Sequence, residues 1–129
     1  MFLIWKKRRS FFVNNFSYKG KENFKKLVKQ ADVIVENFRP KVMERLGLQY
    51  EELAKINPRL VYGAIRGFGD PRSGESPYAK WPSYDVVAQA MGGIIGITGA
   101  NTNSPTKVGP GVGDIFTGLM MSFGVIAAL

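Results

Sequence analysis

Between residues 20 and 68 the chain alternates between helix-type and strand-type apolar patterns, and that alternation restricts the possible folds most. "GKENFKKLVKQA" (20–31) places Phe24, Leu27, Val28 and Ala31 at helical spacing, with Lys and Gln on the other face. "DVIVENF" (32–38) is a short apolar run suited to a strand buried on both sides. "PKVMERLG" (40–47) opens with Pro and closes with Gly, the usual brackets of a helix. "YEELAKIN" (50–57) reads as a further helix stopped before Pro58, and "LVYGAIRGF" (60–68) reads as another strand. With "SFFVNNFS" (10–17) as a short strand ahead of them, the order becomes strand, helix, strand, helices, strand. This predicts an α/β fold with a parallel sheet and helices packed on it.

Beyond residue 68 the pattern changes. "GDPRSGESPYAKWPS" (69–83) is a loop rich in Pro and Gly. "YDVVAQAMGGIIGIT" (84–98) starts as a helix and is interrupted at Gly92 and Gly93. "GANTNSPTKVGPGVG" (99–113) is again a loop, and an apolar helix is expected from Asp114 onward. That helix has no closing signal, and three strands make a small sheet with exposed edges, so the chain reads as an incomplete portion of a larger domain. Residues 1–129 are therefore read as a single partial domain.

The composition removes several chemistries. With no cysteine and no histidine, disulfides, thiolate metal sites and imidazole-dependent nucleophile systems are excluded. No metal is expected, and the absence of cysteine suits a cytoplasmic setting. The net charge of +8 lies in residues 1–30, where nine Lys/Arg face the single acid Glu22. An anionic partner is one reading of that excess, and a solvated helix face plus a loop is the other. The start, "MFLIWKKRRSFF", has apolar residues ahead of basic ones, the reverse of a secretory signal. The longest apolar run, Ile115 to Leu129, falls short of the roughly 20 residues that a bilayer requires, so no membrane partner is expected.

The candidate site residues lie at the ends of these elements. "VENFRP" (35–40) ends a presumed parallel strand, which puts Asn37, Phe38 and Arg39 where open α/β sheets collect ligands; a plain strand-to-helix turn fits equally. Arg45 and Arg66 read as surface charges. Tyr84 and Asp85 begin a helix, where Asp85 suits the dipole. "VGPGVGD" (108–114) lacks the third glycine of a dinucleotide fingerprint. Asp114, the one charge in "GPGVGDIFTGLMM", reads as an N-cap, and a helix N-terminus would also keep a reactive carboxylate ionised.

Four signatures in order, "ADVIVENFRP", "RLGL" with "INPRLVY", "YDVVAQAMGG" and "GDIFTGL", resemble the class III coenzyme A transferases. That family includes formyl-CoA transferase and L-carnitine CoA-transferase, with alpha-methylacyl-CoA racemase as its racemising branch. The resemblance covers nearly the whole chain. It implies an internal portion of a Rossmann-like large domain, truncated at both ends and inactive by itself, from a homodimer whose subunits interlock. It implies acyl-CoA and carboxylic acid substrates, no permanently bound cofactor, and Asp114 as the nucleophile that forms an aspartyl-CoA thioester. Asn37, Phe38 and Arg45 match CoA-holding positions, Arg39 belongs to the same motif, and Tyr84 matches a position near the CoA thiol.

Three departures stand out. Val13 to Phe16 replace the common L-D-L-K, Lys41 replaces a common Gly, and Tyr84 stands where the racemase branch has a catalytic His. The alternatives are a non-catalytic remnant, the CoA-ester racemase branch, and a basic nucleic-acid-binding module in which Trp5, Phe11, Phe12, Phe16 and Tyr18 interleave with the basic residues. A strand and a helix account for those aromatics as core, and no nucleic-acid motif is present.

Overall fold

A computed structural model describes residues 3–5 and 17–129. They form β1 (Leu3–Trp5), α1 (Tyr18–Val28), β2 (Val33–Glu36), α2 (Val42–Leu46), α3 (Tyr50–Ile56), β3 (Val61–Ala64), α4 (Asp85–Met91), α5 (Ile94–Ile97) and α6 (Val112–Ala128). The chain divides into two compact units, one of Met1–Ile65 with Phe123–Leu129 and one of Arg66–Ser122.

The first unit follows the alternation predicted for residues 20–68. β2 and β3 pair in parallel, with Val33 opposite Val61 and Glu36 opposite Ala64. The sheet order is β1-β2-β3, and β1 runs antiparallel to β2, with Leu3 opposite Val35 and Trp5 opposite Val33. The parallel pairing expected of the strands in 32–38 and 60–68 is present in β2 and β3, and β1, a strand not among those expected, adds an antiparallel edge. The apolar Leu3–Trp5 stretch takes the edge of β2 that would otherwise present unpaired N–H and C=O groups, a common arrangement in α/β sheets. The strand predicted within 10–17 lies outside the described residues, except for Ser17.

Ser17 is the N-cap of α1, its Oγ accepting a hydrogen bond from Gly20 N–H at 3.0 Å. α1 buries Phe24 and Val28 and, just past its end, Ala31, against Ile34 of β2, Met43 of α2, Leu48, Leu53 of α3 and Leu60. Each of the larger side chains contributes about 1.5–3 kcal/mol by leaving water. Lys19, Lys25, Lys26 and Lys29 are exposed on the opposite face, which is the solvated-face arrangement.

α2 closes in a Schellman motif. Gly47 adopts φ 66°, its N–H reaches Glu44 C=O at 2.9 Å, and Leu48 N–H reaches Met43 C=O at 2.9 Å. α3 ends at Asn57, whose Nδ2 donates to the carbonyls of Val28 (3.0 Å) and Ala31 (2.8 Å) and so ties α3 to the end of α1.

In the second unit, Phe68, Tyr78 and Trp81 form an aromatic cluster with centroids 4.9–6.4 Å apart. A side chain at Gly67 would collide with the Cβ of Ser83. Arg66 is not the surface charge expected of it. Its side chain is 10% exposed and its Nε lies 3.7 Å from Asp70 Oδ2. α4 and α5 are separated at Gly92 and Gly93, with Gly93 at φ 81°, as the glycine pair predicted. Ile115, Phe116, Leu119, Met120, Phe123 and Ile126 are exposed along α6. Among the described residues no helix is long and apolar enough to cross a membrane.

Candidate active site

α6 begins at Val112, two residues ahead of the expected start. Gly111 C=O accepts the first helical hydrogen bond, from Ile115 N–H at 2.9 Å, so Gly111 occupies the cap position and Asp114 falls in the first turn. The reading of Asp114 as N-cap is therefore corrected. Asp85 supplies the capping carboxylate instead, from the start of α4: its Oδ1 accepts Gly113 N–H at 2.8 Å. Gly111 needs no side chain to cap, and Asp85 satisfies a free amide of the first turn that Asp114 was expected to take. The carboxylate of Asp114 is exposed and has no hydrogen-bond or ion-pair partner among the described residues.

The loop before Asp114 is held by side chains on both sides. Gln89, one turn along α4 from Asp85 and 2% exposed, donates from Nε2 to Asp85 Oδ2 at 2.7 Å and to Pro110 C=O at 3.4 Å. Its Oε1 accepts Val108 N–H at 2.9 Å. Lys107 Nζ donates to the carbonyls of Val108 (2.8 Å) and Gly109 (3.0 Å) and lies 3.7 Å from Asp85 Oδ2. Gly113 approaches α4 so closely that a β-carbon would sit 3.1 Å from Ala88 Cβ and 3.2 Å from Asp85 Oδ1. Of the glycines of "GPGVG", Gly113 thus serves close packing of backbone on α4, whereas a β-carbon at Gly109 would meet open space.

Tyr84 immediately precedes α4. Its carbonyl accepts Val87 N–H (2.9 Å) and Ala88 N–H (3.0 Å), and the residue is 63% exposed. Tyr84 and Asp114 both belong to the second unit.

The other candidates belong to the first unit. Asn37, Phe38 and Arg39 form the turn beyond the carboxyl end of β2. Asn37 and Arg39 are exposed, whereas Phe38 is half-buried and packs against the core. Arg45 is exposed on α2. The turn is shaped by Glu36, which is 4% exposed: its Oε2 accepts Phe38 N–H at 2.8 Å and its Oε1 accepts the Tyr62 hydroxyl at 3.3 Å. Lys41, in the place where the resemblance expects Gly, adopts φ 67°.

Glu36 and Gln89 were not among the residues that sequence reasoning selected. Each carries a signal of the same kind. Glu36 is a lone charge closing an apolar strand, and Gln89 is a lone amide in "VVAQAM", four residues after an Asp on the same helix face. Among the described residues no cluster of His, Cys, Asp or Glu could hold a metal ion.

The family model described as CoA-transferase family III matches residues 3–129. The succinyl-CoA:mesaconate CoA-transferase of Haloarcula marismortui is 48% identical over 122 residues, covering 95% of this chain and 31% of that protein. The formyl-CoA:oxalate CoA-transferase of Streptomyces coelicolor is 42% identical over 122 residues, covering 95% of this chain and 28% of that protein. A crystal structure of a CAIB/BAIF family protein from Brucella suis superposes with a TM-score of 0.84 at 35% identity, covering 98% of this chain and 36% of that one. The chain thus spans about a third of the length of the relatives it matches.

Proposed function

The chain belongs to CoA-transferase family III, and we propose that it supplies the nucleophile, Asp114, for transfer of coenzyme A between an acyl-CoA and a carboxylic acid. The supporting observation is the exposed carboxylate of Asp114 in the first turn of α6, directly after a glycine-rich loop pinned to α4. Two relatives whose names state CoA transfer between acids support the same chemistry.

In this reading a carboxylate oxygen of Asp114 attacks the thioester carbonyl. The C–S bond breaks and CoA leaves as the thiolate, giving a mixed anhydride. The thiolate then attacks the aspartyl carbonyl, and the donor acid leaves as its carboxylate. The acceptor carboxylate repeats the two steps in reverse order, restoring Asp114 and forming the new acyl-CoA. No net proton or electron is required, which suits a chain without histidine or cysteine.

Asn37, Phe38, Arg39 and Arg45 hold the CoA, with the guanidinium groups as partners for its phosphates. Tyr84 lies near the thiol end. The reading includes a homodimer in the cytoplasm and no permanently bound cofactor. In the full-length protein, Asp114→Asn abolishes CoA transfer while wild type exchanges labelled acid into acyl-CoA; transfer at the wild-type rate by a variant verified as Asn would overturn the assignment.

A further inference from the structure

We propose that Gln89 is a positioning residue for Asp114, acting through Asp85 and the 108–113 loop rather than by touching the reacting atoms; this rests on Asp114 being the nucleophile. An amide buried to 2% exposure has to be matched on both its atoms, because an unmatched donor or acceptor there is destabilising. All the partners of Gln89 serve one purpose. Its Oε1 takes Val108 N–H (2.9 Å) at the start of the glycine stretch. Its Nε2 meets Pro110 C=O (3.4 Å) in the middle and Asp85 Oδ2 (2.7 Å). The other oxygen of Asp85 holds Gly113 N–H (2.8 Å), the amide next to Asp114 in the chain. One amide thereby fixes the approach of the loop and the rotamer of the carboxylate that caps α6.

The glycines make this clamp necessary. Gly109, Gly111 and Gly113 permit many backbone conformations, and Gly113 packs so closely on Ala88 that a β-carbon would lie 3.1 Å from its Cβ. A reactive carboxylate at the end of such a segment would lose its aim unless the loop were held from outside. Lys107 adds a second hold through the carbonyls of Val108 and Gly109.

The test compares wild type with Gln89→Leu and Gln89→Glu in the full-length protein. The rate of CoA-adduct formation on the Asp114 peptide is followed against acyl-CoA concentration, together with hydrogen exchange of the Val108 and Gly113 amides. Leu removes every polar contact. Glu keeps the volume and an acceptor for Val108 N–H but cannot donate to Asp85 while ionised. Both variants should exchange the two amides faster and form the adduct roughly 10- to 100-fold more slowly at saturation, with the half-saturating acyl-CoA concentration unchanged. An unchanged adduct rate in both variants, with wild type reactive, overturns the positioning role and leaves the nucleophile standing. An unreactive wild type overturns the nucleophile, and the positioning role with it. Should Gln89→Leu fail to fold, Gln89→Glu decides alone.

Discussion

The carboxylate of Asp85 accepts the backbone N–H of Gly113 at 2.8 Å, so the helix that carries Asp114 is capped from a different helix. Capping and chemistry, which one Asp would otherwise combine, are divided between two. Asp85→Ala should therefore cost about 1–2 kcal/mol, since it strips a cap and leaves Gln89 Nε2 and Gly113 N–H without their acceptor. Asp114→Asn, at an exposed first-turn position, should cost only about 0.3–0.5 kcal/mol. Denaturant unfolding of the two variants checks the order, and a larger loss for Asp114→Asn would return the capping role to Asp114.

Lys41 holds φ 67°, a conformation that costs a side-chain-bearing residue roughly 1–2 kcal/mol. Lys41→Gly removes that strain while adding about 0.5–1 kcal/mol of chain entropy to be lost on folding. The expected result is equal or greater stability, by up to about 1 kcal/mol, whereas Lys41→Val should destabilise because a β-branched residue resists this region. Thermal unfolding of both variants decides, and a clear loss for Lys41→Gly would contradict the strain.

Asn57 is the only polar side chain described as donating to the carbonyls of both Val28 and Ala31. Asn57→Ala should cost about 1–3 kcal/mol by removing the side-chain donor to the Ala31 carbonyl and leaving the Val28 carbonyl with Ala31 N–H at 3.2 Å. Asn57→Asp should do no better at neutral pH, since a carboxylate cannot donate to them. Hydrogen exchange across α1 and α3 reads the effect locally, and wild-type protection in Asn57→Asp would contradict it.

Asp70 is held down to about 2, chiefly by the Arg72 side chain, whose Nε and Nη2 each donate to it at 2.8 Å, with Arg66 assisting against the opposing effect of burial. Its ordinary pKa is 3.8. A depressed carboxylate stabilises the fold above the unfolded value and loses that contribution as pH falls through the folded one, here from about pH 4 to about pH 2. Because Arg72 is 44% exposed, solvent screening limits the amount to about 1 kcal/mol or less. The stability advantage of wild type over Asp70→Asn should be present at about pH 5 and largely lost by about pH 2. A difference that stays constant over that range would show that the pairing does not stabilise the fold.

Periodicity made the first unit largely legible, because its apolar spacings match what the core uses: Phe24 and Val28 on one helix face, Ile34 on a strand, Met43 and Leu53 on the next helices. β1 itself was not legible, since three apolar residues ahead of a basic cluster show no strand alternation and encode neither a partner nor a direction. The start of α6 was missed by two residues because Val112, between two glycines, and Gly113 carry no helix signal of their own; the carboxylate that caps this turn at Gly113 N–H lies 28 residues earlier. Arg66 reads as a surface charge until Asp70 is seen beside it. Gln89 and Glu36 went unselected because their partners are backbone amides and distant side chains, which no short motif encodes.

The central claim is that Asp114 takes CoA into covalent linkage. Full-length protein is treated with an acyl-CoA in the absence of an acceptor acid, denatured in acid and digested, and the peptide spanning 109–121 is weighed. The account predicts a mass increase equal to CoA joined as a thioester with loss of water, located on Asp114, released by hydroxylamine, and absent from Asp114→Asn. A wild-type protein that transfers CoA while this peptide stays unmodified, with the adduct on another residue, would contradict it.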